Sequence, residues 1–375
     1  MSALLAARST AKTHPHLTID LRAIARNTTT IGSLLRGEMM AVVKADGFGH
    51  GAVQVARTVL ANGATSLGVA TIAEALQLRS AGISLPVLSW LNSPDADVES
   101  AIRRRVDLAV PSLQHLSGIA AAARRVARKA RVHLHVDAGM NRDGADRAEW
   151  GALARASRAA ELRGDVAVVG VMAHLPCADL PGHPSTAAGR RSFLDAVTVM
   201  RAAGLRPGTL HLAATAAALS EPDTHFDLAR IGAGLYGIGP HLTPALTLAA
   251  PVVSVRDVPP TTAVGYGLGW VTDRATRLAL VPVGYGDGLP RVASGVAEVL
   301  VQGRRRPIAG VISMDQLVID VGDLPVQPGD EVTLFGPGTS GEPTIADWAQ
   351  WAQTIPHEIM TGLGARIDRA YVGAP

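Results

Sequence analysis

Cysteine is almost absent from this chain. Cys177 stands alone among 375 residues, so no disulfide can form within the chain, and a reducing compartment is the expected setting. Aromatic residues make up 3%, with only four tyrosines, which makes the place of each tyrosine informative. Charge of one sign is also missing: 35 basic residues against 32 acidic leave a formal net charge of +3. That balance argues against nucleic-acid binding, and the densest basic run, Arg124-Arg125-Val126-Ala127-Arg128-Lys129, fits the exposed face of a helix. No stretch is long and apolar enough to cross a membrane. The Leu4-Leu5-Ala6-Ala7 run is too short for a secretory signal and has no basic residue before it. A cytoplasmic protein is therefore expected. Lysine is the last scarcity: Lys12, Lys44 and Lys129 are the only three, and arginine supplies the rest of the basic charge.

Against that background, Met40-Ala41-Val42-Val43-Lys44-Ala45-Asp46-Gly47-Phe48-Gly49-His50-Gly51 draws the eye. The Val-rich run reads as a strand buried on both faces, and a glycine-punctuated turn leads from it into a helix opening at Ala52. Arginine cannot replace lysine where an amine must lose its proton and form an imine. A lone lysine at the end of a buried strand is thus a candidate Schiff-base residue. An amine snorkelling to the surface from a strand end is the other reading, and this stretch alone leaves both open.

Along the chain, Leu17-Thr18-Ile19-Asp20 reads as a short strand and Leu21 to Leu35 as a helix, after a flexible start from Met1 to His14. Apolar strand candidates then begin near Met40, Ser66, Leu85, Val106, Val132, Val166, Leu210 and Leu228, with helical stretches such as 71–80, 113–129, 150–162 and 190–203 between them. Eight strands alternating with helices predict an α/β chain built on an N-terminal (β/α)8 TIM-like barrel. A doubly wound sheet would normally carry a glycine fingerprint after a strand, and none is found. After about Pro244 the pattern becomes short strands with Pro and Gly turns, at 252–255, 277–283, 296–302, 308–321 and 332–335, with one helix at 344–353. The expected domains are a barrel over 15–244 and a mostly β domain over 245–375, with residues 1–14 packing on the latter.

The block around Lys44 is similar to the signature of bacterial alanine racemases, whose lysine carries pyridoxal 5'-phosphate (PLP), and further matching blocks run almost to the C-terminus. The resemblance implies a PLP-dependent isomerase that interconverts L- and D-alanine with two bases and supplies D-alanine for peptidoglycan. In the barrel it assigns Lys44 as PLP carrier and first base. Arg142, in the block Val132 to Arg142, reaches toward the cofactor and the substrate carboxylate, a task suited to a planar guanidinium fork. His174 is assigned a place beneath the cofactor ring, partnered by Arg230. An arginine facing the pyridine nitrogen stays protonated and leaves that nitrogen unprotonated, which makes the ring a weaker electron sink and suits clean proton exchange. The phosphate is expected at Thr215, Gly232 and Ala233, in the loops after the seventh and eighth strands where barrels commonly hold one. In the β domain the blocks holding Tyr266, Tyr285 and Met314 match. Tyr266 is the second base and the Met314 N–H binds the substrate carboxylate, both acting in the site of the other subunit. The resemblance therefore implies a homodimer with shared sites, a small amino-acid substrate, and no metal.

Four positions depart from the family pattern. Phe48 and His357 replace tyrosines at the phosphate, Ala214 replaces an asparagine, and His135 replaces a lysine that is often carbamylated and holds the arginine in place. These changes bear on PLP affinity and on the wall near the substrate side chain. They keep two other functions in view: a racemase of another or broader set of amino acids, and a PLP-binding protein with little or no turnover.

Overall fold

The computed structural model describes residues 13–373; Lys12 and most of the N-terminal stretch expected to be flexible lie outside the described residues. Contacts divide the chain into two units, residues 24–242 and the residues up to 23 together with those from 243 onward.

The first strand, β1 (His16–Asp20), belongs to the second unit. Unit 24–242 holds β2 (Glu38–Val42), β3 (Ser66–Val69), β4 (Val87–Ser89), β5 (Asp107–Val110), β6 (Ala130–His135), β7 (Val166–Met172), β8 (Thr209–His211) and β9 (Leu228–Ile231). They form one eight-stranded sheet in the order β8-β7-β6-β5-β4-β3-β2-β9, and every pairing in it is parallel. The ends meet where Ala214 bridges Arg230, with the Arg230 N–H donating to the Ala213 carbonyl at 2.9 Å. Parallel neighbours need crossover connections, and helices provide them, so the sheet is the predicted TIM-like barrel. Several helices are capped as their sequences foretell. Thr71 caps Ile72–Ser80 in a capping box with Glu74, and Ser112 caps Leu113–Arg125.

Alternation along each strand separates two faces. One carries Leu67, Val69, Leu108, Val110, Val132, Leu134 and Val171, all buried. The other carries the apolar cluster of Met40, Leu88, Ala109, Met172 and Leu228, with Trp90 packed against it. In the same alternation it also carries Asp107, His133, His135, His211 and Arg230, which are buried too. Small residues clear space on this face: a Cβ on Gly68 would lie 2.5 Å from the Trp90 ring.

The second unit holds a six-stranded sheet in the order 304–307, 298–301, 331–335, 246–251, 16–20, 368–372, and a three-stranded sheet of 254–258, 276–281 and 317–322. Trp348 is fully buried there, its indole N–H donating to the Leu334 carbonyl at 2.7 Å. Strands at 246–251 and 368–372 were not expected. Of the long strand expected over 308–321 only the end is a strand, 317–322; most of the rest is the loop that bears Met314, and 304–307 is a further strand that ends just before the expected span. Two short helices, Ile345–Trp351 and Pro356–Gly362, replace the one expected.

The expected domain boundary at 15 is corrected by the pairing of β1. It lies between Leu246–Pro251, antiparallel, and Asp368–Val372, parallel, with Leu17 and Ile19 wholly buried. Adjacency in sequence favoured grouping β1 with the barrel that follows it, but its ladder bonds go to strands more than two hundred residues away. Ile19→Ala is expected to cost about 2–5 kcal/mol, as for other buried large-to-small changes. Hydrogen exchange should then quicken in 246–251 and 368–372. Faster exchange confined to the barrel strands would contradict the grouping.

Candidate active site

Lys44 follows β2 by two residues, at the strand end where the barrel fold gathers reactive groups. The turn after it is left-handed. Ala45, Asp46, Gly47 and Phe48 all have φ between 51° and 63°, a region that costs an L-residue roughly 1–2 kcal/mol. The glycine at 47 was an expected concession to this geometry, whereas the three non-glycine residues were not. Hydrogen bonds hold the turn: Gly47 N–H to the Val43 carbonyl at 2.9 Å, Gly49 N–H to Ala45 at 3.0 Å, and Gly51 N–H to Asp46 at 2.8 Å. The Asp46 carboxylate accepts from the Ala52 N–H at 2.8 Å. Glu74 accepts from the Ala45 N–H at 2.7 Å and from the N–H groups of Ala70 and Thr71. Burial and the nearby Arg142 lower the Lys44 amine from its ordinary value, and Glu74 opposes them. Its Nζ lies 6.0 Å from the Trp90 ring centroid.

Arg230, on β9, is buried, and burial lowers it only to about 10. Its Nη1 donates to the His211 carbonyl at 2.8 Å, and its Nη2 to the carbonyls of Ala173 at 2.6 Å and Leu212 at 3.2 Å. His174 Nδ1 lies 3.3 Å from Nη2. All these bonds leave from the two Nη atoms, so among the described residues the Nε–H is the donor left for a ligand. His174 is lowered to about 3, first by burial and then by Arg230, Arg142, Lys44 and His135. It is a neutral imidazole at any working pH.

Arg142 sits on the exposed loop after β6. Asp137 shapes that loop by accepting from the N–H groups of Gly139, Met140 and Asn141. His135 is buried, its Nδ1 3.4 Å from the Asp143 carboxylate. Burial would raise Asp143, but His135 and the Gly144 N–H hold it below the usual carboxylate range. His135 is thus paired with the residue that follows Arg142.

Thr215 opens the helix Thr215–Ser220, with Ala214 at its N-cap. Its hydroxyl accepts from Gly232 N–H at 3.1 Å and Gly234 N–H at 3.3 Å. A hydroxyl with both lone pairs engaged has only its proton left to offer, which suits an anionic oxygen. A Cβ on Gly232 would come 3.1 Å from the Phe48 ring. Phe48 itself stacks on Tyr236 at 4.7 Å, and the Tyr236 hydroxyl donates to the Val42 carbonyl at 3.1 Å. Ala233 begins the short turn Ala233–Tyr236 after β9.

The barrel unit therefore brings together Lys44, Phe48, Arg142, His174, Thr215, Arg230, Gly232 and Ala233. Tyr266, Met314 and His357 lie in the other unit. Tyr266 is 72% exposed on the turn Tyr266–Leu268, and Met314 is 53% exposed. The Gly286 N–H donates to the Met314 carbonyl at 2.8 Å, and Arg366 joins Asp287 to Asp315 at 2.8 and 2.7 Å, tying the Tyr285 turn to the Met314 loop. His357 is half-buried in the first turn of Pro356–Gly362. Sequence reasoning missed Glu74, Asp137, Asp143 and His211. The capping pattern Thr71-x-x-Glu74 was a signal for the first.

A barrel with a lysine at a strand end, beside arginines and a neutral histidine and followed by a separate β unit, has the amine and the cationic donors that suit an enzyme acting on an anionic ligand. The alanine racemase N-terminal domain pattern matches residues 19–240, and the C-terminal domain pattern 245–371. The chain is 49% identical over 364 residues to the alanine racemase of Thermobifida fusca, covering 95% of this chain and 97% of that one. The alanine racemase structure from Streptomyces coelicolor A3(2) superposes with a TM-score of 0.95 at 42% identity, over 97% of this chain and 99% of that one. That of Bartonella henselae, described with covalently bound pyridoxal phosphate, gives 0.86 at 29% identity over 96% and 100%. The chain belongs to the alanine racemase family, and the enzyme is an isomerase.

The lowered His174 has a consequence for pH. Its native value lies below the ordinary 6.5, so between 6.5 and about 3 the unfolded chain binds a proton that the native chain refuses. Stability therefore falls as pH drops through that window. His211, lowered by burial and by His133, adds with the same sign. Cofactor-free protein should lose Tm between pH 7 and 5 by calorimetry, and His174→Asn should lose less. Equal pH slopes would contradict a neutral His174.

Proposed function

We propose that the chain racemises alanine with pyridoxal 5'-phosphate in the cytoplasm, supplying D-alanine for peptidoglycan. The observation that carries this reading is Lys44, an amine with a lowered pKa at a barrel strand end, beside Arg142, His174 and Arg230. The residues present fit the cofactor: the cationic cluster and the spare Thr215 hydroxyl proton suit its phosphate, and Arg230 Nε–H suits its ring nitrogen. The covalently bound pyridoxal phosphate of the Bartonella henselae relative supports the same cofactor. When bound, PLP supplies the carbonyl that takes up the amino acid and the ring that acidifies its Cα–H. Thr215, with the Gly232 and Ala233 backbone, holds the phosphate. Arg142 and the Met314 N–H hold the substrate carboxylate.

Lys44 moves the Cα proton on one face, helped by the neighbours that keep its amine unprotonated more often than an ordinary lysine. Tyr266 of a second copy moves it on the other. The exposure of Tyr266, Leu268, Val271 and Met314 supports a homodimer in which a second chain covers these side chains. Among the described residues no helix is long and apolar enough to cross a membrane.

The test is conversion of L-alanine to D-alanine by purified protein with PLP, scored by chiral chromatography, with borohydride reduction and peptide mapping in parallel. The pyridoxyl group is expected on Lys44. Tyr266→Phe should lower turnover by about 10²–10⁴ while the label stays on Lys44. A label on Lys129, or a fully active monomer in sedimentation, would overturn the reading.

Phe48 provides a second measurement. Its ring lies against Gly232 but offers no donor there. A hydrogen bond to a charged group contributes about 1.5–3 kcal/mol, and about 1.4 kcal/mol is tenfold in affinity. Phe48→Tyr is therefore expected to tighten PLP by roughly one to two decades in an absorbance titration. Equal dissociation constants would place the phosphate wholly on Thr215 and the Gly232–Ala233 backbone.

A further inference from the structure

Beyond the groups assigned to the ligand, a line of buried polar side chains crosses the barrel interior. Arg131 forks onto the Asp107 carboxylate at 2.8 and 3.1 Å. The other oxygen-facing partner is His133, whose Nε2 lies 3.5 Å from Asp107 Oδ2. Its Nδ1 is 2.9 Å from His211 Nε2, and His211 Nδ1 is 3.3 Å from Arg230 Nη1. The two imidazoles meet edge to face at 5.0 Å, and both are buried, His211 completely.

The fold makes room for this line. β6 and β7 shift register between Val132 and His133, and His133 then stands opposite Gly170. A Cβ at Gly170 would lie 2.3 Å from His133 Nδ1 and 2.9 Å from its Cε1. Glycine in a strand interior weakens it, and its presence marks a close approach; here the approaching group is the imidazole.

The two ends dictate the direction of every link. A guanidinium only donates and a carboxylate only accepts. Arg230 must therefore donate to His211 Nδ1, His211 Nε2–H to His133 Nδ1, and His133 Nε2–H to Asp107. Both histidines are neutral Nε2–H tautomers, and reversing either would set N–H against N–H. Burial raises Asp107, but His133 and Arg131 overcome this and hold it below the usual carboxylate range, so the accepting end is an anion.

We propose that Asp107, His133 and His211 are positioning residues, a relay that fixes the orientation of the Arg230 guanidinium and supports its charge from a carboxylate three hydrogen bonds away. None of the three touches substrate. The proposal rests on the reading of Arg230 as the cofactor's partner, and its test separates the two.

The first arm uses full-length, cofactor-free protein labelled with ¹⁵N-histidine, in which two-bond ¹H–¹⁵N correlations report each tautomer. His133 and His211 are expected as neutral Nε2–H forms, and Asp107→Asn should shift the signals of both. An Nδ1–H form at His211, or signals unmoved by the substitution, overturns the relay. The second arm adds PLP and alanine. Asp107→Asn should move the bound cofactor's absorption band and lower kcat by about tenfold, equivalent to about 1.4 kcal/mol, with KM within about twofold. A native band and native kcat overturn the positioning role even where the tautomers are as stated. If Asp107→Asn does not fold, Arg131→Gln at the half-exposed end replaces it: a shifted His211 signal supports the relay and an unshifted one overturns it. Arg230→Lys is the control, because an unmoved cofactor band there sinks the reading of Arg230 itself.

Discussion

Arg230 takes a guanidinium charge into a barrel interior, where removing an ion from water costs several kcal/mol unless its donors are met. No carboxylate touches it among the described residues. Its partners are the carbonyls of Ala173, His211 and Leu212 and two imidazoles. All of these stand at the ends of β7 and β8, so the strands that make the barrel also make the cage. The backbone of the same residue draws β9 to the end of β8 through Ala213 and Ala214. Closure of the sheet and placement of the charge are thus one event. The charge then acts on its surroundings: together with burial it keeps His174 neutral, and it imposes one direction on the interior hydrogen bonds.

The turn after Lys44 is a second constraint of the same kind. Three non-glycine residues held in the left-handed region are a local expense, and such strain persists only where the surroundings over-determine it. Asp46 and Glu74 do so: the Asp46 carboxylate accepts from the Ala52 N–H beyond the turn, and Glu74 accepts from the N–H groups of Ala45, Ala70 and Thr71 on both sides of a connection. Glu74 also acts on the Lys44 amine, raising it against burial and Arg142, so one side chain clamps the strained turn, caps a helix and supports the charged form of the lysine. The Tyr236, Phe48 and His50 rings pack beneath that turn and supply apolar contact where the backbone is least favourable.

Much of this was legible from local signals. The eight barrel strands, the helices between them and the position of Lys44 follow from apolar runs, caps and turn residues, which depend on near neighbours in the chain. The polar lining of the barrel was less visible. Short apolar runs read as strands buried on both faces, yet one face carries Asp107, His133, His135, His211 and Arg230. His133 and His135, two apart in a strand, share a face, and that spacing was the available hint. His211 in Leu210-His211-Leu212 gave none, since a single histidine in an apolar run reads as ordinary. The β unit was harder still. Its strand at 16–20 pairs with 246–251 and 368–372, and no local pattern can announce partners so distant.

The sequence by itself determined the chemistry available: one lysine in a buried strand end, an arginine and a histidine in the matching blocks, a single cysteine, and tyrosines placed in few positions. It also determined the alternation that makes a barrel, because helix and strand periods are properties of short windows. Only the tertiary structure decided which of these groups meet and in what state. Desolvation and pair distances set protonation, and both arise between strands far apart in the chain. Hence the lowered Lys44, the neutral His174, the His135–Asp143 pair and the one-way line from Arg230 to Asp107 appear only once the strands are side by side.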